Sequence, residues 1–365
     1  MRDTAENWMK LALKLAEKGR STTSPNPMVG ACIVRGNRIV GQGHHKHYGG
    51  DHAEIQALRA AEGRTQGATL YVTLEPCASW GKTPPCVAAI VRSGIRQVIV
   101  GALDPSRVNH GKGIRALRQA GIQVRTNLLA EDVKKQNEAF FKYVEDRLPF
   151  VTLKMAQSLD GKIATSEGRS RWISSPTSRR FVHRLRAEQD ALLIGKNTLL
   201  LDNPRLSPYR TVKHFLPGKP WRVVLDAKME ASPKARIFQG NQLTFLAVSE
   251  KNLSRFEKSK GLASCILLPL REQEGQLDVK ELLKKLAGLG IAKLLVEGGG
   301  ELAWSLLRDG LVDKAYWIIA PKIVGGRLAK TSVEGEGIRI LSQAIDCRQV
   351  KASRLGEDWL WECRF

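Results

Sequence analysis

The sequence has no apolar run approaching the roughly 18 residues that cross a bilayer, so no membrane-spanning helix is expected. Met1 to Arg20 mixes acids and bases among alanines and leucines. It offers neither an uninterrupted apolar core nor a small-residue cleavage site, so no signal peptide is expected and the protein is expected in the cytoplasm. Cysteine is scarce, six among 365 residues, which in a cytoplasmic chain gives no disulfide framework. Cys32 reads as a small apolar strand residue, and Cys265, Cys347 and Cys363 stand alone as buried or indifferent thiols. Only Cys77 and Cys86 sit in unusual company. Acidic residues are the other shortage: 36 against 58 basic, a net charge of +22. Residues 1–150 hold 22 basic and 13 acidic side chains and the remainder 36 and 23, so no arm or tail concentrates the surplus. A nucleic-acid binder more often shows a basic stripe. Diffuse positive charge also suits anionic small substrates and by itself identifies no partner.

The length is comfortable for two cores. Residues 8–18 carry apolar residues at helical spacing, and Ser24 to Pro27 forms a rigid loop. Val29 to Val34 and Arg38 to Val40 read as a hairpin around Gly36-Asn37. Helical patterns follow at His52 to Ala61, Cys86 to Ser93 and Gly113 to Ala120. Strand patterns lie at Ala68 to Leu74, Ile95 to Gly101 and Ile122 to Arg125. A charged helix, Glu131 to Arg147, leads to a boundary at Leu148-Pro149. Beyond it Phe150 to Ala156, Arg222 to Asp226, Gln242 to Val248, Cys265 to Pro269, Lys293 to Glu297 and Lys314 to Ala320 read as strands. Asp278 to Ala287 and Glu301 to Arg308 read as helices. The alternation predicts α/β layering in both halves. Asn203 to Lys219 and Ser249 to Gly261 read as long polar loops, and no repeat is present.

The chemistry is carried by His52-Ala53-Glu54, Glu75-Pro76-Cys77 and Cys86. One imidazole and two thiolates make a soft donor set suited to zinc, and three protein ligands leave a fourth position for water. Zinc lowers the pKa of water towards ~7. Glu54, two residues from His52, is expected to shuttle protons rather than to ligate. The pattern is that of zinc deaminases, H-x-E followed by P-C-x-x-C, except that eight residues separate the two cysteines. Ala78 to Pro85 would then form a pocket rim, with Lys82 available to an anionic substrate. His44, His45 and His47 read either as solvated or as a loop lining the pocket.

These residues place the N-terminal half in resemblance to the cytidine-deaminase superfamily. Thr73 to Cys86 resembles the insert of the bifunctional riboflavin-biosynthesis deaminase/reductases. Further matching stretches are Pro25 to Gly30, Ser158 to Lys162, Trp172 to Ser175, Asp202 to Leu206 and Val296 to Gly300. The resemblance implies an α/β chain with a cytidine-deaminase-like three-layer domain over 1–147 and a dihydrofolate-reductase-like domain over 148–365. It implies zinc on His52, Cys77 and Cys86, with Glu54 catalytic. It also implies a small phosphorylated pyrimidine as substrate, with Asn26 and Lys82 as contacts. The first domain would replace a ring amine by oxygen, and the second would use NADPH to reduce the ribosyl group to ribityl. Two loops depart from the family pattern: Ala78-Ser79, where Ser-His or Ala-His is usual, and Ser106-Arg107, where Asn-Pro is usual.

In the second half Leu294 to Trp304 is a strand, a glycine run and a helix. Such a run lets backbone N–H groups approach phosphate, although it lacks the G-x-G-x-x-G spacing and could equally be a flexible turn. The resemblance implies that Gly298, Gly299 and Gly300, with Ala156, Trp172, Thr198 and Asp202, lie beside NADPH. It sets Ser170, Arg186, Leu206, Arg210 and Glu297 beside the substrate. Guanidinium groups suit phosphate; Trp172 alone would read as core packing. Lys154 lies on a strand face opposite Val151, Leu153 and Met155, either solvated or holding substrate. Two other classes compete: a nucleic-acid-directed deaminase, opposed by the cysteine spacing and the second domain, and a binding protein with a relic zinc site, opposed by the intact His52, Glu54, Cys77 and Cys86. The expectation is a homo-oligomeric enzyme with neither nucleic acid nor membrane as partner.

Overall fold

Strict alternation along three short strands sorts the first half of the chain into two cores. The computed structural model describes residues 4–208, 220–240, 242–253 and 265–365. The chain divides into two units, Met1–Arg147 and Leu148–Phe365. In the first, β1 (Gly30–Arg35), β2 (Arg38–His44), β3 (Thr69–Leu74), β4 (Gln97–Ala102) and β5 (Gln123–Arg125) form one sheet in the order β2-β1-β3-β4-β5. β1 is antiparallel to both neighbours, and β3, β4 and β5 are parallel. Successive side chains face opposite sides of a sheet. Ala31, Ile33, Leu70, Val72, Val98 and Val100 therefore meet helices Ala53–Ala60, Cys86–Arg92 and Lys112–Gln119 on one side. Cys32, Val34, Tyr71 and Ile99 meet helix Ala5–Ala16 on the other. The result is helix, sheet, helix.

Gly36 and Asn37 both take positive φ, 54° and 62°, which suits a two-residue hairpin between twisted strands. β2 runs on past Val40 to His44, beyond the alternation seen in the sequence. Gly41 and Gly43 supply no apolar side chain to read; they are where helix Ala53–Ala60 lies directly on the strand. A Cβ at Gly43 would stand 2.5 Å from the carbonyl oxygen of Ala53. The single helix expected over Glu131 to Arg147 is two, Ala130–Gln136 and Glu138–Asp146. The break falls at Asn137, a buried amide that accepts from the Met28 N–H (2.8 Å) and donates to the Met28 carbonyl (3.0 Å). That tertiary contact overrides a helical pattern that local sequence sustains.

The second unit is built on β6 (Phe150–Ser158), β7 (Ala191–Gly195), β8 (Trp221–Leu225), β9 (Thr244–Ser249) and β10 (Cys265–Leu270). A two-stranded ribbon follows, β11 (Glu272–Gln273) and β12 (Gln276–Leu277), then β13 (Lys293–Val296), β14 (Lys314–Ala320), β15 (Gln349–Leu355) and β16 (Asp358–Arg364). Nine of these form one sheet in the order β10-β9-β8-β7-β13-β6-β14-β16-β15. It is parallel from β10 to β14 and antiparallel in the last two strands. One face gathers Val151, Leu153, Leu193, Val223 and Leu294 under helices Val279–Gly288 and Gly300–Arg308. Leu192, Ile194, Val224 and Leu295 line the other. Helices Pro176–Ala187 and Lys196–Asp202, strand β7 and the β15–β16 hairpin are additions to the expected elements. β7 is a five-residue run buried on both faces, where periodicity is silent. Helix Pro176–Ala187 had a readable start: Ser175 caps the Ser178 N–H and Pro176 occupies the first turn. The two long polar connections fall largely outside the described residues, as does Arg210.

Candidate active sites

In the first unit the helix start and the loop after β3 bring three donors together. His52 is the N-cap residue of helix Ala53–Ala60, and Cys86 opens helix Cys86–Arg92 behind Pro85. Cys77 follows β3 by three residues. Helix Lys112–Gln119 closes against this loop at Gly113, where a Cβ would stand 2.0 Å from the Pro76 carbonyl oxygen. The Cys77 and Cys86 sulfurs lie 3.5 Å and 3.2 Å from Nδ1 of His52. All three donor atoms fall within 4.8 Å of one another. This is the size and chemistry of a zinc centre with three protein ligands. The far nitrogen of His52, Nε2, is 3.4 Å from the Thr83 hydroxyl, a contact of the kind that orients a metal-ligating ring.

Glu54 is the second residue of the same helix, 3% exposed and outside the donor group. Burial pushes its carboxyl above the usual range, with His52 opposing. Hydrogen bonding to Cys86 pulls the Cys77 thiol well below its usual range against the effect of burial, and His52 adds to it. The Cys86 thiol is pushed up by Cys77 and by burial. His52 rises to about 9, chiefly through its hydrogen bond with Cys77. A bound divalent cation competes for these same protons.

His45, read from the sequence as either solvated or lining the pocket, is not solvated: it is buried edge-on to His52, with ring centroids 5.4 Å apart. Its Nε2 is 3.2 Å from Nδ2 of Asn26, and its Nδ1 is 3.1 Å from the Asp51 carbonyl. Asn26 thus joins the histidine wall beside the donors. His47 is exposed, and Lys82 is exposed with its ammonium 4.1 Å over the Tyr48 ring. Glu75, named in the sequence only as part of Glu75-Pro76-Cys77, was given no role. Its buried carboxylate accepts the N–H groups of Asp104 (3.2 Å), Gly111 (3.0 Å) and Ile114 (3.3 Å). It thereby moors the loop containing Ser106 and Arg107 at the start of helix Lys112–Gln119. Its place two residues before Cys77 was the available signal.

In the second unit Lys154 on β6, Glu297 just past β13 and Arg186 at the end of helix Pro176–Ala187 converge. Arg186 grips Glu297 with two bonds, Nε to Oε1 at 2.5 Å and Nη2 to Oε2 at 2.9 Å. Lys154 Nζ lies 3.0 Å from Oε2. Burial alone would raise the Glu297 carboxyl, but the charges of Arg186 and Lys154 outweigh it and hold it well below the carboxylate range. His183, one turn before Arg186, is lowered to about 4 by burial and then by the Arg186 charge. Lys154 is therefore an ion-paired residue rather than a solvated one.

Gly298 and Gly299 connect β13 to helix Gly300–Arg308, so the glycine run does open a helix. Ala156 lies two residues beyond Lys154 on the same strand, and Thr198 is half-buried in helix Lys196–Asp202. The Ser170 hydroxyl donates to Asp202 (2.8 Å), bringing a proposed substrate contact and a proposed cofactor contact together. Trp172 is exposed, with the Arg179 guanidinium 4.4 Å over its ring, not packed in a core. Leu206 buries its side chain in the core of the second face, which leaves only its backbone for a ligand.

Comparison with known proteins covers both units. The family profile described as the cytidine and deoxycytidylate deaminase zinc-binding region matches residues 2–102. That of the RibD C-terminal domain matches residues 149–361. The riboflavin biosynthesis protein RibD of Aquifex aeolicus is 42% identical over 362 residues, covering 98% of both chains. The Escherichia coli protein of the same name is 38% identical over 334 residues and 88% of both. Among solved structures, Acinetobacter baumannii RibD superposes with a TM-score of 0.88 at 31% identity over 98% of both chains. The deaminase/reductase of Thermotoga maritima superposes at 0.85 with 35% identity, again over 98% of both. Matched along nearly its whole length, in both halves and in one order, the chain belongs to the RibD family, the bifunctional deaminase/reductases of riboflavin biosynthesis.

Proposed function

We propose that the first unit hydrolyses the amine of 2,5-diamino-6-(5-phosphoribosylamino)pyrimidin-4(3H)-one, and that the second reduces the ribosyl chain with NADPH. The product is 5-amino-6-(5-phosphoribitylamino)uracil. The observation that carries the first half is the convergence of His52, Cys77 and Cys86 within 4.8 Å, with Glu54 buried beside them. His52, Cys77 and Cys86 would hold zinc, which when bound would acidify water and so supply a nucleophile at neutral pH. Glu54 takes up the proton that is released, delivers it to a ring nitrogen, and protonates the departing amine, so that water and substrate become carbonyl and ammonia. A carboxyl whose pKa is raised by burial is suited to hold a proton between those steps. Asn26 and Lys82 contact the substrate at the rim.

In the second unit Gly298, Gly299 and Gly300 would hold the phosphates of NADPH and Ala156, Trp172, Thr198 and Asp202 the remainder, and the bound cofactor would supply a hydride. Lys154, Ser170, Arg186, Leu206, Arg210 and Glu297 bind the phosphorylated substrate. The convergence of Lys154 and Arg186 on Glu297 supports that reading, because it gathers three of the expected substrate contacts in one place. The substrate and cofactor are small and anionic, which fits a cytoplasmic enzyme with neither nucleic acid nor membrane as partner. Among the described residues no helix is long and apolar enough to cross a membrane. We also propose a homo-oligomer, because the terminal hairpin β15–β16 exposes Val350, Trp359 and Trp361 at a sheet edge. The test is a coupled assay on the pyrimidinone. Ammonia release without NADPH, then NADPH oxidation dependent on that release, is expected. NADPH oxidation with no ammonia would refute the order.

A further inference from the structure

The segment between the two cysteines, Ala78 to Pro85, has no regular secondary structure, yet each end is a metal donor. The segment lies against the donors, the Thr83 hydroxyl within it 3.4 Å from Nε2 of His52, so its placement matters. Ser79 reaches across to the loop after β4, its hydroxyl 2.7 Å from Oδ1 of Asn109. The Asn109 amide nitrogen lies 3.1 Å from Oδ2 of Asp104, whose Oδ1 accepts the Ser106 N–H at 2.8 Å. Asp104 is buried, and its own N–H donates to Glu75. From Glu75 the chain itself returns through Cys77 to Ser79. The contacts therefore close a ring that joins the rim, the loop carrying Ser106 and Arg107, and the strand end that delivers Cys77.

Chemistry leaves one arrangement for Asn109. A carboxylate accepts only, so the amide must turn its NH2 to Asp104, and its oxygen then receives the Ser79 hydroxyl proton. A side chain at 109 must donate on one side and accept on the other. Aspartate has the same shape but cannot donate, and would put a second carboxylate against Asp104.

We propose that Asn109 is a positioning residue for the deaminase site: through Ser79 it fixes the rim between the two thiols, and so sets how well the pyrimidine is held without acting on the metal or the proton transfer. This rests on the deaminase reading of the first unit. The test measures ammonia release, zinc per chain, thermal unfolding and NADPH oxidation for the full chain and its variants. Asn109→Asp should raise KM for the pyrimidinone on the order of ten-fold, with kcat and zinc content near wild type and reduction of pre-deaminated substrate unchanged. Ser79→Ala should move KM in the same direction by less. The double variant should be no worse than Asn109→Asp alone, because both changes break one linkage. If Asn109→Asp does not fold, Ser79→Ala carries the same expectation of raised KM at constant kcat. An unchanged KM in a folded variant overturns the proposal. So does a loss of zinc that tracks the loss of activity, which would make the ring a metal-site support. Absence of ammonia release from the wild type would instead bring down the deaminase reading, and the inference with it.

Discussion

Glu297 holds two cations at once, which makes its replacement informative. In Glu297→Gln the side chain keeps its volume but loses the charge that Arg186 and Lys154 share at 2.5, 2.9 and 3.0 Å. Breaking a buried ion pair from one side costs about 3–5 kcal/mol, because the partner is left uncompensated. Here the cations keep 17% and 16% side-chain exposure, and water recovers part of that cost. A loss of about 2–4 kcal/mol is expected in a unit spanning residues 148–365. For a unit of that size it lowers the unfolding midpoint by about 5–15 °C. Calorimetry at pH 7 should show this for the second unit's transition. The folded-state pKa of Glu297 is depressed, so its stabilisation is present above the unfolded value, about 4.3, and fades as the pH falls below it. The difference between variant and wild type should narrow over that range. Adding Lys154→Met removes one stranded cation and should make the double variant more stable than Glu297→Gln alone. An unmoved midpoint at pH 7, or a gap that widens in acid, would falsify the assignment of a buried, charged Glu297.

Other changes probe the first unit. Glu54→Gln should retain zinc by metal analysis yet slow ammonia release by about 10²–10⁴-fold; full turnover would remove Glu54 from the proton transfer. Gly43→Val places a Cβ 2.5 Å from the Ala53 carbonyl oxygen and must displace the helix that carries His52 and Glu54. A cost of about 1–3 kcal/mol and a fall in zinc content are expected, with NADPH oxidation on pre-deaminated substrate retained. Unaltered zinc binding would show that the helix can shift freely.

The cluster of His52, Cys77 and Cys86 was legible because its spacing encodes a chemistry: His-Ala-Glu at a helix start and Pro-Cys after a strand need no long-range information to be recognised. In the first unit β1 and β2 were legible from the Gly36-Asn37 turn between them, and β3 and β4 as short apolar runs set between glycine and charged residues. The supports of the site were harder to see. Glu75 acts on backbone N–H groups of residues 104, 111 and 114, and Asn137 reads one peptide at Met28. Neither contact leaves a mark on local periodicity. His45 could be placed only once its ring was seen edge-on to His52. In the second unit Arg186 and Glu297 were named through the family resemblance and Lys154 from its place on a strand face, but nothing in their spacing tells that they form one ion-paired group. β7 and β15 escaped for opposite reasons: one is apolar throughout and the other largely polar and exposed.

The order of strands in the second sheet has a consequence for the newborn chain. Every strand of the first sheet is supplied by residues 30–125, so that sheet can close early in synthesis. β6 and β7, by contrast, must leave a gap for β13, which is translated much later. At ordinary ribosome speeds the wait between β6 and β13 is roughly 7–27 s. During it, two strands bear unfilled edges of the kind that recruit other chains. Conditions that slow translation or crowd nascent chains should therefore harm the reductase more than the deaminase, and a chain stopped before residue 293 would keep only the first of the two chemistries.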